Sequence, residues 1–441
     1  MTTPQTFVIV GASLAGAKAA ETLRAEGFTG RVVLVGEEAE RPYERPPLSK
    51  GYLRGDTERS EVFVHDEDFY ANHDIELRTT TRATALNLDE HTVTLTSDGD
   101  DEQLSYDRLL LATGASPRRL DIPGAELPGV YSLRGLADSD RLAGAIGRAN
   151  TVAVIGAGWI GTEVAASARQ LGRNVAMIAP SVVPLERVLG IEVGWVYRTL
   201  HTVHGVDLHL QTGVDAVLGS DSVEAIQLSD GTRLAADVVL IGIGGVPRVE
   251  LAIAAGLAVN DGIIVDAHLR TSDPDVFAAG DAASAQHSLL GSNIRVEHWA
   301  NALHQGSAAA RNMLGIPTPY DRIPYFFSDQ YELGMEYSGY AKSWDRVVFR
   351  GDPLHGEFIA FWLAGGVVLA GMNANVWGVV EPIQQLIRDR VAVDPERLAD
   401  PDTPLESLAE LADRGGPPAR THRRDAPDVA PVAQISTRAN Q

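Results

Sequence analysis

The chain begins with the run Phe7-Val8-Ile9-Val10-Gly11-Ala12-Ser13-Leu14-Ala15-Gly16, in which apolar, largely β-branched residues stop at a glycine. An alanine-rich helical pattern follows at residues 15–24. This order predicts a strand, a tight turn and a helix whose free N–H groups face a pyrophosphate. Gly11 allows the turn, Gly16 lets helix and strand approach, and Ser13 replaces the usual middle glycine. A tight turn without a ligand is the alternative for so short a motif.

A second apolar run, residues 31–35, predicts a parallel strand that ends at Gly36-Glu37. A carboxylate at this point of a strand–helix–strand unit binds the ribose of an adenine dinucleotide. The alternative for Glu37 is a solvated loop acid. The complete strand–helix–strand pattern favours the ribose role.

The same pattern returns at residues 151–161, where a strand precedes a complete G-x-G-x-x-G motif. A helix over residues 162–171 and a strand over residues 174–178 are expected next. No acid ends that strand, because Ala179 stands there, and Arg187 is the next cation along the chain. Two such units in one chain predict two bound nucleotides.

Four further segments carry candidate ligands. Residues 106–114 predict a buried strand that ends in Ala-Thr-Gly, and residues 237–247 repeat this ending in a glycine turn. Asp281 follows another predicted strand at a helix start, where an N-cap role is the alternative. Lys50, one of only three lysines, ends the proline-rich loop 41–50. It is either a ligand or an ordinary helix-start lysine.

Composition excludes several functions. The 441 residues carry a net charge of −22, which argues against nucleic acid as a general partner. Cysteine is absent, so the chain has no disulfide, thiolate metal site or redox-active thiol. The longest apolar stretch, residues 358–372, is too short to span a bilayer, and Gly365-Gly366 at its middle predicts a hairpin with a two-residue turn. No signal peptide is evident, and we expect a cytoplasmic protein.

These motifs together resemble the NADH-dependent ferredoxin and rubredoxin reductases, flavoproteins that serve cytochrome P450 and ring-hydroxylating oxygenases. The likeness runs from about residue 6 to about residue 400. Beyond the glycine motifs, it rests on these segments: residues 44–50 (ERPPLSK), 112–114 (ATG), 279–282 (AGDA), 297–299 (EHW) and 327–331 (FSDQY).

The resemblance implies an α/β fold of the glutathione-reductase type, with two Rossmann-like dinucleotide-binding domains and a C-terminal α+β domain. The expected domains are an FAD-binding domain of residues 1–118 and 248–318, an NAD-binding domain of residues 119–247, and a reductase domain of residues 319–405. Residues 406–441 are expected to form a largely disordered tail, because most of them lack hydrophobic periodicity.

FAD and NAD are the implied cofactors, and no metal is implied. The FAD ligands would be Gly11, Ser13, Leu14, Ala15, Gly16, Glu37, Arg45, Lys50, Ala83, Thr113, Gly114, Arg134, Gly280, Asp281 and Trp299. The NAD ligands would be Gly156, Gly158, Ile160, Gly161, Glu163 and Gly244. In catalysis, Lys50 would lie near the flavin ring, Glu163 would take the nicotinamide carboxamide, and Phe327 would replace a tryptophan common in relatives.

The implied activity is FAD-dependent NADH:ferredoxin oxidoreduction. A hydride would pass from NADH to flavin N5, and single electrons would then pass to a 2Fe-2S or 3Fe-4S ferredoxin. The absence of cysteine excludes the disulfide, thioredoxin and peroxide reductases, which all need sulfur. We expect a monomer or weak dimer, with Arg311, Arg322 and Arg346 as docking candidates or as ordinary solvated surface.

Two alternatives stay open at this stage. One is an NADH oxidase or quinone-type flavin reductase that needs no protein partner. The other is an NADH-sensing interaction protein of the apoptosis-inducing-factor kind, in which reduction changes the oligomeric state. Fast reduction of quinone or oxygen favours the first, and slow hydride transfer with a long-lived charge-transfer complex favours the second.

Overall fold

The computed structural model describes residues 5–412. The first stretch contains β1 (Thr6–Val10), α1 (Leu14–Ala25), β2 (Arg31–Val35), α2 (Gly51–Arg54), α3 (Phe69–Asn72), β3 (Ile75–Arg78), β4 (Arg82–Asn87), β5 (Thr92–Ser97), β6 (Asp100–Ser105), β7 (Arg108–Leu111) and β8 (Ala115–Pro117). The second contains β9 (Val130–Tyr131), α4 (Leu136–Ile146), β10 (Thr151–Ile155), α5 (Trp159–Gln170), β11 (Asn174–Ala179), α6 (Glu186–Val203), β12 (Val206–Leu210), β13 (Val214–Leu218), β14 (Ala225–Leu228), β15 (Arg233–Ala235), β16 (Val238–Ile241) and β17 (Gly245–Pro247).

The remaining elements follow in two further stretches. One contains α7 (Glu250–Ala254), β18 (Ile263–Val265), β19 (Val276–Ala278), β20 (Ala283–His287), β21 (Ser292–Ile294) and α8 (Trp299–Met313). The other contains β22 (Tyr325–Gln330), β23 (Leu333–Gly339), β24 (Arg346–Asp352), β25 (Glu357–Ala364), β26 (Val367–Ala374), α9 (Val380–Asp389), α10 (Pro395–Ala399) and α11 (Leu405–Ala412).

Two five-stranded parallel sheets form the centres of two units. The first unit has the strand order β19-β7-β1-β2-β3, and the second has the order β12-β11-β10-β16-β9. The inner strands β1, β2, β7, β10, β11 and β16 are mainly apolar with buried side chains, as expected where helices cover both faces of a sheet. In both units a glycine turn leads from the central strand into a helix, α1 or α5.

The chain leaves the first unit after β8 and returns to it after β17. These two strands pair antiparallel, with Ser116 opposite Val246. Strand β19, which comes after the return, lies at the edge of the first sheet beside β7. The first unit is therefore built from two separated stretches of chain. The exact domain bounds given above stay a prediction.

The third unit is an antiparallel sheet of order β22-β23-β26-β25-β24 with helices α9–α11. The expected hairpin around Gly365-Gly366 is confirmed as the pair β25–β26. Trp362 is fully buried, and its Nε1 donates a hydrogen bond of 3.0 Å to the Leu189 carbonyl of α6. This contact attaches the third unit to the second. The α/β class with a C-terminal α+β unit is thereby confirmed.

One expected boundary was wrong. Helix α5 begins at Trp159 rather than at residue 162, because Gly158 already serves as its N-cap. Residues 405–412 form helix α11, whose Leu405 and Leu408 are buried in the same hydrophobic cluster as Ile383 and Leu386 of α9, so the first residues of the expected tail lie in a helix. The rest of the expected tail, residues 413–441, lies outside the described residues. Within residues 5–412, no helix combines the length and the apolar character needed to cross a membrane.

Candidate active site

A cavity of about 300 Å³ lies where the three units meet. Gly11 lines it from the first unit, Glu163 from the second and Phe327 from the third. The predicted site residues that line this cavity are Gly11, Ser13, Leu14, Ala15, Glu37, Arg45, Lys50, Thr113, Gly114, Arg134, Ile160, Glu163, Gly280, Asp281, Trp299 and Phe327. Most of the residues singled out from the sequence are thus brought together.

Two of the predicted glycines, Gly16 and Gly161, do not line the cavity but pack against the glycine turns. A Cβ on Gly16 would lie 2.0 Å from the Gly11 carbonyl oxygen, and one on Gly161 would lie 2.1 Å from the Gly156 oxygen. Both positions therefore need glycine for close packing between helix and strand. Gly156 begins the second turn with a φ of +108°.

Three other predicted residues also lie outside this cavity. A Cβ on Gly158 or Gly244 would meet nothing within 4 Å, so both glycines border open space. Ala83 lines a second cavity of about 410 Å³, to which Gly11, Glu37 and Thr113 also contribute. Gly11, Glu37 and Thr113 line both cavities, so the two cavities adjoin.

The turn between β1 and α1 is open to a ligand. Gly11 has a φ of +123°, and a Cβ there would lie 2.0 Å from the Ala112 carbonyl oxygen. Ser13 is the N-cap of α1, and its side chain makes no capping hydrogen bond. The first N–H groups of a helix lack partners within the helix. This turn can therefore donate several hydrogen bonds to an anion.

Charged residues from separate segments meet beside this turn. Arg134 donates from Nη2 to Asp281 Oδ2 at 2.5 Å. Arg45 donates to the Arg134 carbonyl and pairs with Glu38 Oε1 at 3.1 Å. The N-cap alternative for Asp281 is wrong, because Ala279 is the N-cap of the 3-10 helix Gly280–Ala282 and the Asp281 carboxylate pairs with Arg134 instead.

Three buried polar atoms on the cavity wall have no hydrogen-bond partner among residues 5–412. They are Arg134 Nε, His298 Nδ1 and Trp299 Nε1. Burial lowers the pKa of His298 to about 4, so its ring is neutral near pH 7. Buried polar groups in proteins nearly always have partners. Their presence here fits a polar ligand with hydrogen-bonding edges.

Lys50 and Glu163 form an ion pair in the cavity wall. Lys50 Nζ lies 2.8 Å from Glu163 Oε2, and the two side chains are 13% and 7% exposed. Ser49 Oγ donates to the same oxygen at 2.5 Å, and Ser328 Oγ donates to Oε1 at 2.7 Å. Lys50 is also the N-cap residue of α2, so the expected position at a helix start is confirmed, and its role as a ligand stays a prediction.

The hydrogen bonds continue from Ser328 into the protein. Gln330 Nε2 lies 3.3 Å from Ser328 Oγ and 3.0 Å from Thr162 Oγ1. Gln330 Oε1 lies 3.0 Å from His201 Nε2, and His201 Nδ1 lies 3.5 Å from the Tyr331 hydroxyl. Gln330 and His201 are both buried. This chain of hydrogen bonds joins the second unit to the third.

Glu37 is held at the shared edge of the two cavities by Arg248, which donates a hydrogen bond to its carboxylate. The Arg248 carbonyl in turn accepts a hydrogen bond of 2.6 Å from Thr113 Oγ1. Glu37 is therefore an ion-paired residue at the cavity edge rather than a freely solvated loop acid.

Sequence reasoning missed Ser49, Ser328, Gln330, His201 and Arg248 as members of the site. One local signal was present in β22. Ser328 and Gln330 alternate with the outward residues of that strand and share a face with buried Phe326. Polar residues on the buried face of a strand require hydrogen-bond partners, so this pattern indicates a buried hydrogen-bond network.

The sequence pattern of the pyridine nucleotide-disulphide oxidoreductase family matches residues 5–306, and the reductase C-terminal pattern matches residues 325–409. The chain belongs to this family. It is an oxidoreductase, and membership implies a flavin and a pyridine nucleotide. The disulphide chemistry in the family's name is excluded here, because the sequence contains no cysteine.

The resemblance to ferredoxin reductases is also confirmed. The ferredoxin reductase subunit of 5,5'-dehydrodivanillate O-demethylase from Sphingobium sp. is 38% identical over 404 residues, 91% of this chain and 97% of that protein. Putidaredoxin reductase of Pseudomonas putida is 38% identical over 411 residues, 92% of this chain and 97% of that protein. A crystal structure of the covalent putidaredoxin reductase–putidaredoxin complex matches with a TM-score of 0.89 at 37% identity, over 94% of this chain and 100% of that one.

Proposed function

We propose that this protein is an FAD-dependent NADH:ferredoxin oxidoreductase that supplies electrons to a cytochrome P450 or a ring-hydroxylating oxygenase. One observation carries the proposal. The glycine turn of the first unit and the helix that follows the glycine motif of the second unit line the same cavity, with the Lys50–Glu163 pair in its wall. Each turn is suited to one dinucleotide, so one cavity can hold the reactive ends of both.

The cavity residues fit FAD. The β1–α1 turn offers N–H groups to the pyrophosphate, and Glu37 offers a carboxylate to the adenosine ribose. Arg134 Nε and Trp299 Nε1 are buried polar atoms of cavity-lining residues and have no partner among the described residues. When bound, FAD supplies the chemistry that accepts a hydride and releases electrons singly.

Glu163 is suited to hold the nicotinamide of NADH. A carboxylate has about four lone-pair sites. Lys50 and Ser49 occupy Oε2 and Ser328 occupies one site on Oε1, which leaves a second site on Oε1 for the carboxamide N–H. Phe327 and Trp299, with ring centroids 6.2 Å apart, add an aromatic wall that excludes water.

The proposed partner is a 2Fe-2S or 3Fe-4S ferredoxin. The protein is proposed to bind it as a monomer or a weak dimer. Of the three docking candidates, Arg311 pairs with Glu26 at 2.7 Å and is thus partly neutralised. Arg322 and Arg346 are exposed and have no ion-pair partner among residues 5–412. They are therefore the better candidates for contact with an acidic ferredoxin.

The purified protein is expected to be yellow and to be bleached by NADH under anaerobic conditions. Cytochrome c reduction should then depend on added 2Fe-2S ferredoxin and should slow as salt rises, because the docking charges are screened. Stopped-flow absorbance and steady-state assays measure these steps. A colourless protein that takes up no FAD would contradict the flavin assignment, and rates independent of ferredoxin would contradict the partner.

Ala179 predicts weak discrimination between NADH and NADPH. It ends β11, where NAD-dependent enzymes of this fold commonly place a carboxylate against the ribose 2′-hydroxyl. Pro180→Glu, at the exposed residue that directly follows Ala179, is expected to raise the preference for NADH about tenfold, because the carboxylate accepts from the hydroxyl and repels a 2′-phosphate. The ratio of flavin reduction rates with the two nucleotides measures this.

The control for that variant is Val203→Glu, which adds the same charge at an exposed position at the other end of α6. It should leave the nucleotide ratio unchanged. An equal shift in both variants, or no shift in Pro180→Glu, would show that the end of β11 does not set nucleotide preference.

A further inference from the structure

We propose that Gln330 and His201 are positioning residues for Glu163: they fix the direction of a buried hydrogen-bond chain so that Ser328 always donates to the Glu163 carboxylate. The consequence for the reaction rests on the proposed contact between Glu163 and the nicotinamide. The direction of the chain itself follows from the chemistry of its members.

The orientation of the Gln330 amide is set by two neighbours. Thr162 Oγ1 lies 3.1 Å from the Gly158 carbonyl and 3.0 Å from the Trp159 carbonyl, so its hydrogen is used there and it can only accept from Gln330. Ser328 Oγ likewise uses its hydrogen on Glu163. The amide NH₂ group must therefore face both hydroxyls, and the amide oxygen must face His201.

The His201 tautomer follows from the amide orientation. An amide oxygen only accepts, so His201 Nε2 must carry the hydrogen and Nδ1 must accept. Burial lowers the pKa of His201 to about 4, so the ring is neutral near pH 7. The Tyr331 hydroxyl, 3.5 Å from Nδ1, is placed to donate to it over a long contact.

Every bond in the chain thus donates towards Glu163. The order runs from Tyr331 through His201, Gln330 and Ser328 to the carboxylate. Had the Gln330 amide been reversed, its oxygen would compete with Glu163 for the Ser328 hydrogen. The observed orientation of the Gln330 amide prevents this competition. Gln330 belongs to the third unit, whereas Glu163 and His201 belong to the second.

Gln330→Glu tests the chain with a side chain of nearly the same size. The new carboxylate cannot donate, so Ser328 is drawn away from Glu163. The KM for NADH and the Kd for NAD⁺ measured by calorimetry are expected to rise about tenfold, because Ser328 no longer holds Oε1 of Glu163 with its free site towards the carboxamide, while kcat and FAD content change less than about twofold.

Gln384→Glu is the matched control. Gln384 Nε2 donates to Ser338 Oγ at 3.2 Å in the same unit, but Gln384 does not belong to the hydrogen-bond chain that ends at Glu163. It should leave KM and Kd unchanged. Equal effects of the two variants, or wild-type KM and Kd in Gln330→Glu, would overturn the proposal.

His201 provides a second pair of variants in case Gln330→Glu does not fold. Glutamine can place an N–H near the Nε2 position and leucine cannot, so His201→Gln should keep nearly the wild-type KM while His201→Leu raises it about threefold. Indistinguishable KM values in these two variants would also contradict the proposal.

The tautomer gives a readout that does not depend on turnover. ¹⁵N NMR of histidine-labelled holoprotein, with His201 assigned by its loss in His201→Gln, should show the Nε2–H form. An Nδ1–H form would overturn the chain direction. If the tautomer is as expected but NADH does not bleach the flavin, the proposed function fails and the chain direction stands.

Discussion

Alanine at Gly11 is expected to give a colourless protein that retains no flavin. The residue has a φ of +123°, and the new Cβ would lie 2.0 Å from the Ala112 carbonyl oxygen. Ala112 directly follows β7, the neighbour of β1 in the first sheet, so relief of the clash must separate these strands or move the turn. The combined strain and clash are expected to cost about 4 kcal/mol. Flavin absorbance per chain and urea unfolding measure both effects.

Gly27→Ala is the control for the backbone part of this effect. Gly27 also has a positive φ, +82°, but a Cβ there would meet nothing within 4 Å. Its expected cost is about 1 kcal/mol, and the protein should stay yellow. If Gly11→Ala is as yellow and as stable as Gly27→Ala, the turn does not constrain the cofactor as described.

Glu163→Gln is expected to reduce kcat/KM for NADH about 100-fold while FAD stays bound, as befits removal of one charge from a buried, hydrogen-bonded pair. The amide keeps the size of the side chain but removes the counterion of Lys50, whose side chain is only 13% exposed. The NH₂ group of the variant also replaces a carboxylate oxygen that accepts hydrogen bonds in the wild-type protein. Stopped-flow flavin reduction over a range of NADH concentrations measures the loss.

Asp140→Asn is the matched control for the loss of one carboxylate from an ion pair. Asp140 pairs with Arg59 at 2.8 Å, but both side chains are largely solvated. Exposed pairs contribute about 0–1 kcal/mol, so the rate of flavin reduction should stay within about twofold. Wild-type kinetics in Glu163→Gln would remove Glu163 from the nicotinamide site.

The parts of the fold that the sequence predicts are those with local patterns. The runs that become β1 and β10 are apolar and stop at glycine, and both form the central strands of parallel sheets. The Gly365-Gly366 turn was also evident, because two apolar runs flank it. In each case the residues that determine the structure are neighbours in sequence.

The contacts that escaped prediction join distant parts of the chain. His201 and Gln330 are 129 positions apart, and neither stands in a recognisable motif with the other. Asp281 was ambiguous for a related reason, since its partner Arg134 is 147 positions away. A carboxylate after a strand looks the same in sequence whether it caps a helix or pairs with a remote arginine.

The pairing of β8 with β17 has a mechanical consequence. Both passages of the chain between the first and second units run through this one short ribbon, with Pro117 opposite Gly245 and Pro247 opposite Ala115. A swing of the second unit must twist the two passages as a single hinge. The third unit contacts α6 through Trp362, but it also contacts the first unit, where Arg390 donates to the Leu289 carbonyl at 2.6 Å. A swing of the second unit must therefore break one of these two contacts, because the third unit cannot stay attached to both neighbours.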